Sequence, residues 1–456
     1  MPKIHAETAL LPDGWTENVL VELGDDGRIA TVTPNVTDAA AKTHVSCLLP
    51  APVNAHSHAF QRAMAGLTEH RSDNPTDSFW TWRALMYLFL DQLTPDHVEA
   101  IAALVQMEML EAGYATNVEF HYLHHAPDGN TYDNQAEMAE RIMAATETTG
   151  IGLTMLPVHY QYGGCDRRPL VRGQCRFHND LDSFTALCES VRDGLGNLPT
   201  DTVFGVAPHS LRAVSPDSLA LTRALANGGP FHMHLAEQRA EIEEVSHHLG
   251  ARPVEWILHN FEAGTDCCFI HCTQMQPHET SGLAATGAIA GLCPITEASL
   301  GDGIFDGVGW FEAGGMIAIG SDSNIRISLS EELRSLEYSQ RLRDRSRAAL
   351  ATSTASTGRH ILDAMIAGGA RAAGRHTGQI AAGYWADLMA LDTQLVSLAG
   401  RSKDQVIDSF IFAGDDHLVR DVWSAGRHQV SGGRHINHDK ITSAYRAALT
   451  SLRHDL

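Results

Sequence analysis

Ala51-Pro52-Val53-Asn54-Ala55-His56-Ser57-His58-Ala59-Phe60 is the stretch on which the reading of this chain turns. It follows an apolar run at 47–50 that reads as a short buried strand. Side chains alternate across a strand, so residues two apart point the same way. His56 and His58 can therefore meet one ion, and neutral imidazole is the commonest protein ligand for zinc and its neighbours. In a chain with 26 histidines, one His-x-His pair decides little alone. The polar residues that follow it give it weight.

From about 49 to 375, short apolar strands alternate with helical patterns. The strands are expected at 115–121, 152–158, 203–207, 231–235, 268–272, 288–292 and 316–320, and the one before His56 makes eight. Eight strands with helices between them predict an α/β fold, a parallel (β/α)8 barrel of the TIM type. Residues 1–48 instead alternate apolar and polar around tight turns, as in 18–23 followed by Gly24-Asp25-Asp26-Gly27, a hairpin signal. Strand texture returns in 380–391 and 418–427. Each flank is too small for its own core, so 1–48 and 376–437 are expected to pair into one β-sandwich. The barrel then spans 49–375. The tail 438–456, amphipathic over 440–452, is expected as a C-terminal helix.

Composition narrows the class. The chain has 456 residues, 44% of them hydrophobic, which is ordinary for an enzyme with a large core. A formal charge of -22, with no basic stripe to offset it, argues against nucleic acid as a partner. It does not argue against an anionic substrate, because local arginines set a pocket's potential more than distant carboxylates do. No apolar run reaches membrane-span length, and the first eleven residues lack the basic-then-apolar order of a signal peptide. No membrane contact and a cytoplasmic location are the expectations. Eight cysteines without regular spacing do not read as a disulfide framework. Cys267, Cys268 and Cys272 have no second cluster to complete a soft-metal site.

Placed on the barrel, the remaining polar residues fall at the C-terminal ends of strands, where barrel active sites form. His234 sits in Phe231-His232-Met233-His234-Leu235-Ala236-Glu237, His271 in Phe269-Ile270-His271-Cys272-Thr273, and Asp322 in Gly320-Ser321-Asp322-Ser323-Asn324. Each has an ordinary reading alone: a hydrogen-bonded core histidine, or an aspartate in a turn. Together, at the ends of strands one, five, six and eight, they point to one site. No lysine occurs between Lys42 and Lys403, so a two-metal centre bridged by a modified lysine is not available. A single divalent ion held by three histidines and an aspartate, with room for water, is the simpler site.

The order His-x-His, His-x-x-Glu, lone His, then Asp resembles the amidohydrolase superfamily, in its mononuclear deaminase branch. The likeness spans nearly the whole chain, including Gly383-Tyr384-Trp385-Ala386-Asp387-Leu388. Within that branch the texts Asn54-Ala55-His56-Ser57-His58-Ala59-Phe60-Gln61-Arg62, Ala207-Pro208-His209-Ser210-Leu211-Arg212 and His234-Leu235-Ala236-Glu237-Gln238 look like the formimidoylglutamate deiminases of bacterial histidine degradation. The resemblance implies a homodimer with one Zn2+ per chain, Fe2+ being the alternative ion. It implies His56, His58, His234 and Asp322 as ligands, with His271 and Glu237 moving protons beside Asp322. Gln61, Arg83, Tyr122, His209 and Arg212 would bind a small dicarboxylate, N-formimino-L-glutamate, which is deiminated to N-formyl-L-glutamate and ammonia. Arg62 is an alternative for either arginine, and Arg83 is read in a loop over 71–83. Zinc lowers the pKa of water toward neutrality, and arginine offers carboxylates a planar fork that lysine cannot.

Two other readings compete. An aminohydrolase of a purine, pyrimidine or triazine ring would use the same metal and an aromatic pocket, for which Phe60, Trp80 and Trp82 are available. A catalytically dead scaffold of the same fold is disfavoured, because no ligand or acid/base position is missing.

Overall fold

Alternation in the first fifty residues forms four strands, β1 (Lys3–Leu11), β2 (Gly14–Leu23), β3 (Ile29–Thr33) and β4 (Thr43–Pro50). Their inward residues, among them Ile4, Ala6, Val19 and Val21, are buried. The structure, a computed structural model, describes residues 2–36, 41–67, 69 and 79–453, with the side chains of 79–84, 172 and 453 outside that description.

The barrel follows. Its strands are β5 (Val53–Ser57), β6 (Thr116–His121), β7 (Gly152–His159), β8 (Val203–Phe204), β9 (Ala207–Pro208), β10 (Phe231–Leu235), β11 (Cys267–His271), β12 (Ile289–Leu292) and β13 (Met316–Ile319). β5 to β8 pair in parallel, β9 continues alongside β7, and β10 to β13 form a second parallel ladder. The Val206–Phe231 and Ser57–Asp322 bridges join the two ladders into a ring. With β8 and β9 as halves of one interrupted strand, the ring has the expected eight staves. β5, β6, β7, β10, β11 and β12 are buried at every position, as a parallel sheet covered on both faces requires.

Two details differ from the sequence reading. The apolar run at 47–50 ends β4 and lies outside the barrel, pairing antiparallel with β14 (Leu388–Leu391). Pro50 and Pro52 lack the N–H that an unbroken ladder needs, so the chain starts a new strand at Val53. Position 83 lies in the helix Phe79–Leu90 rather than a loop, because the run Phe79-Trp80-Thr81-Trp82 carries no helix breaker.

After β14 come β15 (Val419–Ser424), β16 (Arg427–Ser431) and β17 (Arg434–His435). The β-sandwich from both termini is hydrogen-bonded as one eight-stranded sheet, in the order β17-β16-β15-β14-β4-β1-β2-β3. Of the 380–391 stretch, only the last four residues are strand. Arg375 ties sheet to barrel. Wholly buried, it reaches Asp387 Oδ2 at 3.1 Å and Asp201 Oδ2 at 3.2 Å, and Arg427 grips Asp201 with both nitrogens. The Asp387 carboxylate also accepts from the Ala425 N–H, which explains an aspartate in this apolar segment. The tail forms the helix His438–Arg453 against the helix Pro95–Glu111. Among the described residues, no helix is long and apolar enough to cross a membrane.

Candidate active site

Closure of the ring brings the ligand candidates together. His58 N–H donates to Asp322 O and Asp322 N–H to His56 O, each at 2.9 Å, so the His-x-His segment and Asp322 share one ladder. A side-chain network locks it: Asn54 Nδ2 donates to Ser321 Oγ at 2.7 Å, and Ser321 Oγ donates to Asn324 Oδ1 at 2.6 Å. Asn324 Nδ2 in turn donates to Ser57 Oγ at 3.2 Å. Gly320 is required here, since a Cβ would stand 2.6 Å from the His56 backbone N and O. Asp322 and His271 adopt φ of +48° and +74°, and Ala236 +53°. Such left-handed turns in non-glycine residues are costly and cluster at functional sites.

His56 Nε2 and His234 Nε2 approach to 3.0 Å, and Asp322 Oδ1 lies 3.4 Å from His56 Nε2 and 3.1 Å from His58 Nε2. Four ligands at about 2.0–2.1 Å around a tetrahedral ion stand about 3.3 Å apart, so these separations fit zinc. The donor chemistry fits as well. His58 Nδ1 faces Phe120 O at 3.0 Å and His234 Nδ1 faces His209 O at 3.2 Å. Carbonyls only accept, so the protons sit on Nδ1 and each Nε2 lone pair faces the centre. Burial lowers His56 to about 3 and His234 well below its ordinary value, keeping both rings neutral. The His58 and His234 lone pairs and the Asp322 carboxylate thus converge with His56 Nε2 on one point, an acceptor set that suits a cation. Elemental analysis of purified protein should return one divalent ion per chain; two tightly bound ions would contradict this site.

His271 and Glu237 stand beside that centre. His271 Nε2 lies 3.9 Å from Asp322 Oδ2 and 3.8 Å from Glu237 Oε1. Burial opposes charge on His271, but the carboxylates of Glu237, Glu297 and Asp322 outweigh it and raise it to about 10. A cation on Asp322 would oppose that rise. Burial pushes the Glu237 carboxyl up, against the pull of His271 and Arg212. Its backbone is fixed: Ala236 N–H and Glu237 N–H donate to the Glu241 carboxylate, and Thr273 Oγ1 donates to Glu237 O at 2.7 Å.

Four of the substrate-binding candidates, Gln61, Tyr122, His209 and Arg212, line a pocket above this centre. Gln61 Nε2 donates to the Tyr122 hydroxyl at 2.6 Å, and the Tyr122 ring packs edge-on against His58 and Phe177. Burial keeps the Tyr122 phenol protonated. Gln61 rides on the turn Ala59–Met64, which the buried Glu119 carboxylate anchors through the Ala59 N–H at 2.8 Å. Tyr122 therefore faces the pocket, while His121 points behind it toward His124. His209 lines the pocket too, with Nδ1 3.1 Å from Ser210 Oγ. Arg212 reaches the same space and makes no hydrogen bond or ion pair with another described residue. Arg62 is committed elsewhere, to Glu108 at 2.8 and 2.9 Å. The side chain of Arg83 lies outside the described residues, as do those of Trp80 and Trp82. Cys267, Cys268 and Cys272 join no metal-ligand group among the described residues.

The structure adds residues not singled out from sequence. Tyr160, Phe177 and Met86 form pocket walls, and Arg168 stands at the mouth, paired to Glu244 at 3.1 Å and Asp166 at 3.0 Å. Glu297 lies behind His271. Glu119 and Glu297 carry the same signal that marked Asp322: an acidic side chain in or just after an apolar strand.

Comparisons with known proteins agree with this geometry. The amidohydrolase family model matches residues 47–428, and the model described as "Formimidoylglutamate deiminase HutF, N-terminal domain" matches 1–44. A formimidoylglutamate deiminase from Pseudomonas aeruginosa is 43% identical over 99% of this chain and 100% of its own. The crystal structure of an amidohydrolase from Brucella melitensis superposes with a TM-score of 0.95 at 44% identity, covering 99% of this chain and 100% of that one. An adenosine deaminase from Xanthomonas campestris with bound zinc gives a TM-score of 0.81 at 21% identity, over 99% of this chain and 98% of the other, a likeness of fold.

Proposed function

The chain belongs to the amidohydrolase family, and we propose that it hydrolyses N-formimino-L-glutamate to N-formyl-L-glutamate and ammonia. One observation carries this reading: Arg212, which makes no hydrogen bond or ion pair with another described residue, lines the same pocket as the His56, His58, His234, Asp322 cluster and the His271–Glu237 pair. Similarity over the full chain to a formimidoylglutamate deiminase supports it. So does the match of the first 44 residues to a domain of that enzyme class.

His56, His58, His234 and Asp322 would hold one divalent ion, which we take to be zinc. When bound, it supplies Lewis acidity and brings water toward ionisation near neutral pH. His271 Nε2, between Asp322 and Glu237, accepts a proton from the attacking water. The water oxygen bonds to the formimino carbon. The C=N bond of the protonated formimino group opens as that oxygen adds, and Glu237 then delivers a proton to the terminal nitrogen. As the C–N bond breaks, the new hydroxyl becomes the formyl carbonyl, its proton returns to the Glu237 carboxylate, and ammonia leaves. Arg212 takes one substrate carboxylate through a two-pronged contact. Gln61, Tyr122 and His209 offer hydrogen bonds around the rest of the substrate, and Arg83 remains the candidate for the second carboxylate. The reading includes a place in histidine degradation and a homodimer, both carried by the resemblance, and the cytoplasmic location expected from the sequence pattern.

A substrate panel separates this from ring deamination. Ammonia release should be fast with N-formimino-L-glutamate and undetectable with guanine or cytosine. The reverse ranking would move the assignment to the ring aminohydrolases, whose pockets want aromatic walls such as Tyr122, Tyr160 and Phe177 provide.

A further inference from the structure

The His271 ring is held from behind as well as facing the reaction space. Its Nδ1 lies 3.3 Å from Glu297 Oε1, and the same oxygen accepts the Cys293 N–H at 2.8 Å. Glu297 is almost wholly buried, in the helix Pro294–Leu300 that opens immediately after β12. Its backbone is tied at both ends: Glu297 N–H donates to Cys293 O at 2.9 Å, and Asp302 N–H donates to Glu297 O at 3.0 Å. A carboxylate only accepts, so the proton on this side of the ring belongs to His271 Nδ1. In the neutral ring the lone pair is then on Nε2, between Glu237 and Asp322. Cys293 Sγ lies in the same group, but the Glu297 oxygen there is already taken by the His271 ring and the Cys293 N–H. The cluster is thus a hydrogen-bonded one.

We propose that Glu297 is a positioning residue, fixing the tautomer and direction of His271 so that Nε2 can take the proton. The inference rests on His271 as the proton acceptor. Imidazole in the wrong tautomer presents an N–H where a lone pair is needed, and a misaimed ring loses the alignment on which proton transfer depends. Substrate binding uses other residues, so the effect falls on kcat and leaves KM alone.

The test measures kcat, KM and metal content of the metal-loaded enzyme for Glu297→Ala, Glu297→Gln and His271→Asn, and for Glu297→Ala combined with His271→Asn. Glu297→Ala should lower kcat by about a hundredfold, with KM within about twofold of wild type and one ion per chain retained. Glu297→Gln should recover activity to within about tenfold of wild type, since the Cys293 N–H pins its carbonyl oxygen where the carboxylate oxygen was. In the His271→Asn background, Glu297→Ala should cost less than about twofold more. Should the alanine variant not fold, Glu297→Met fills the volume and carries the same expectations. An undiminished loss in the His271→Asn background makes Glu297 merely structural and overturns the proposal. So does near-normal kcat in Glu297→Ala while His271→Asn is crippled, which leaves the reading of His271 standing. Near-normal turnover in His271→Asn itself would instead defeat that reading first.

Discussion

His271→Asn and Glu237→Gln should each lower turnover by at least about a hundredfold while metal content stays near wild type. Neither residue belongs to the group His56, His58, His234 and Asp322, whose ligand atoms converge on one point. Both still point at the space beside it. Asparagine can hold neither the proton nor the lone pair of His271. Glutamine keeps the shape of Glu237 but has no exchangeable carboxylic proton. Their surroundings support these two roles: each is buried beside that group, and each faces a partner that changes its affinity for a proton. Stopped-time ammonia assays with parallel elemental analysis decide the matter. Near-normal turnover in either variant, with metal retained, would require another proton path.

Arg212→Met should lose about 2 to 5 kcal/mol of transition-state binding, read as the change in kcat/KM. The loss is large because Arg212 has no ion pair or hydrogen bond with the other described residues, so its guanidinium is available to an incoming carboxylate. Removing it leaves the substrate's anion in a pocket that also holds Glu237 and Glu244. Arg212→Lys should restore only part of the loss, because an ammonium cannot match the planar fork. An unchanged kcat/KM in Arg212→Met would place the carboxylates elsewhere in the pocket.

Much of this was legible in the sequence because barrel chemistry gathers at strand ends, and strand ends can be counted. His56, His234, His271 and Asp322 are far apart in sequence and adjacent only once the eight staves close, yet each was marked by a polar residue ending an apolar run. What the sequence hid were relations across the ring. The boundary at Pro50–Pro52 separates two strands that read as one, because strand propensity does not say which sheet a strand joins. Position 83 reads as loop because the turn-rich polar run 71–78 leads straight into the first residue of its helix, Phe79. Glu119 and Glu297 act through partners on other elements, the Ala59 N–H and the His271 ring, and no spacing rule connects them. Arg62 and Arg212 are equally plausible cations in sequence. Glu108, brought close by the helix Pro95–Glu111, occupies the first, whereas the second makes no hydrogen bond or ion pair with another described residue.

The central claim is that this pocket breaks the terminal C–N bond of a formimino group. The most direct measurement follows the products formed from synthetic N-formimino-L-glutamate by the purified, metal-loaded protein. Ammonia and N-formyl-L-glutamate should appear together in equal amounts. Glutamate with formamide, from cleavage of the other C–N bond, or no product at all alongside rapid deamination of guanine, would contradict it.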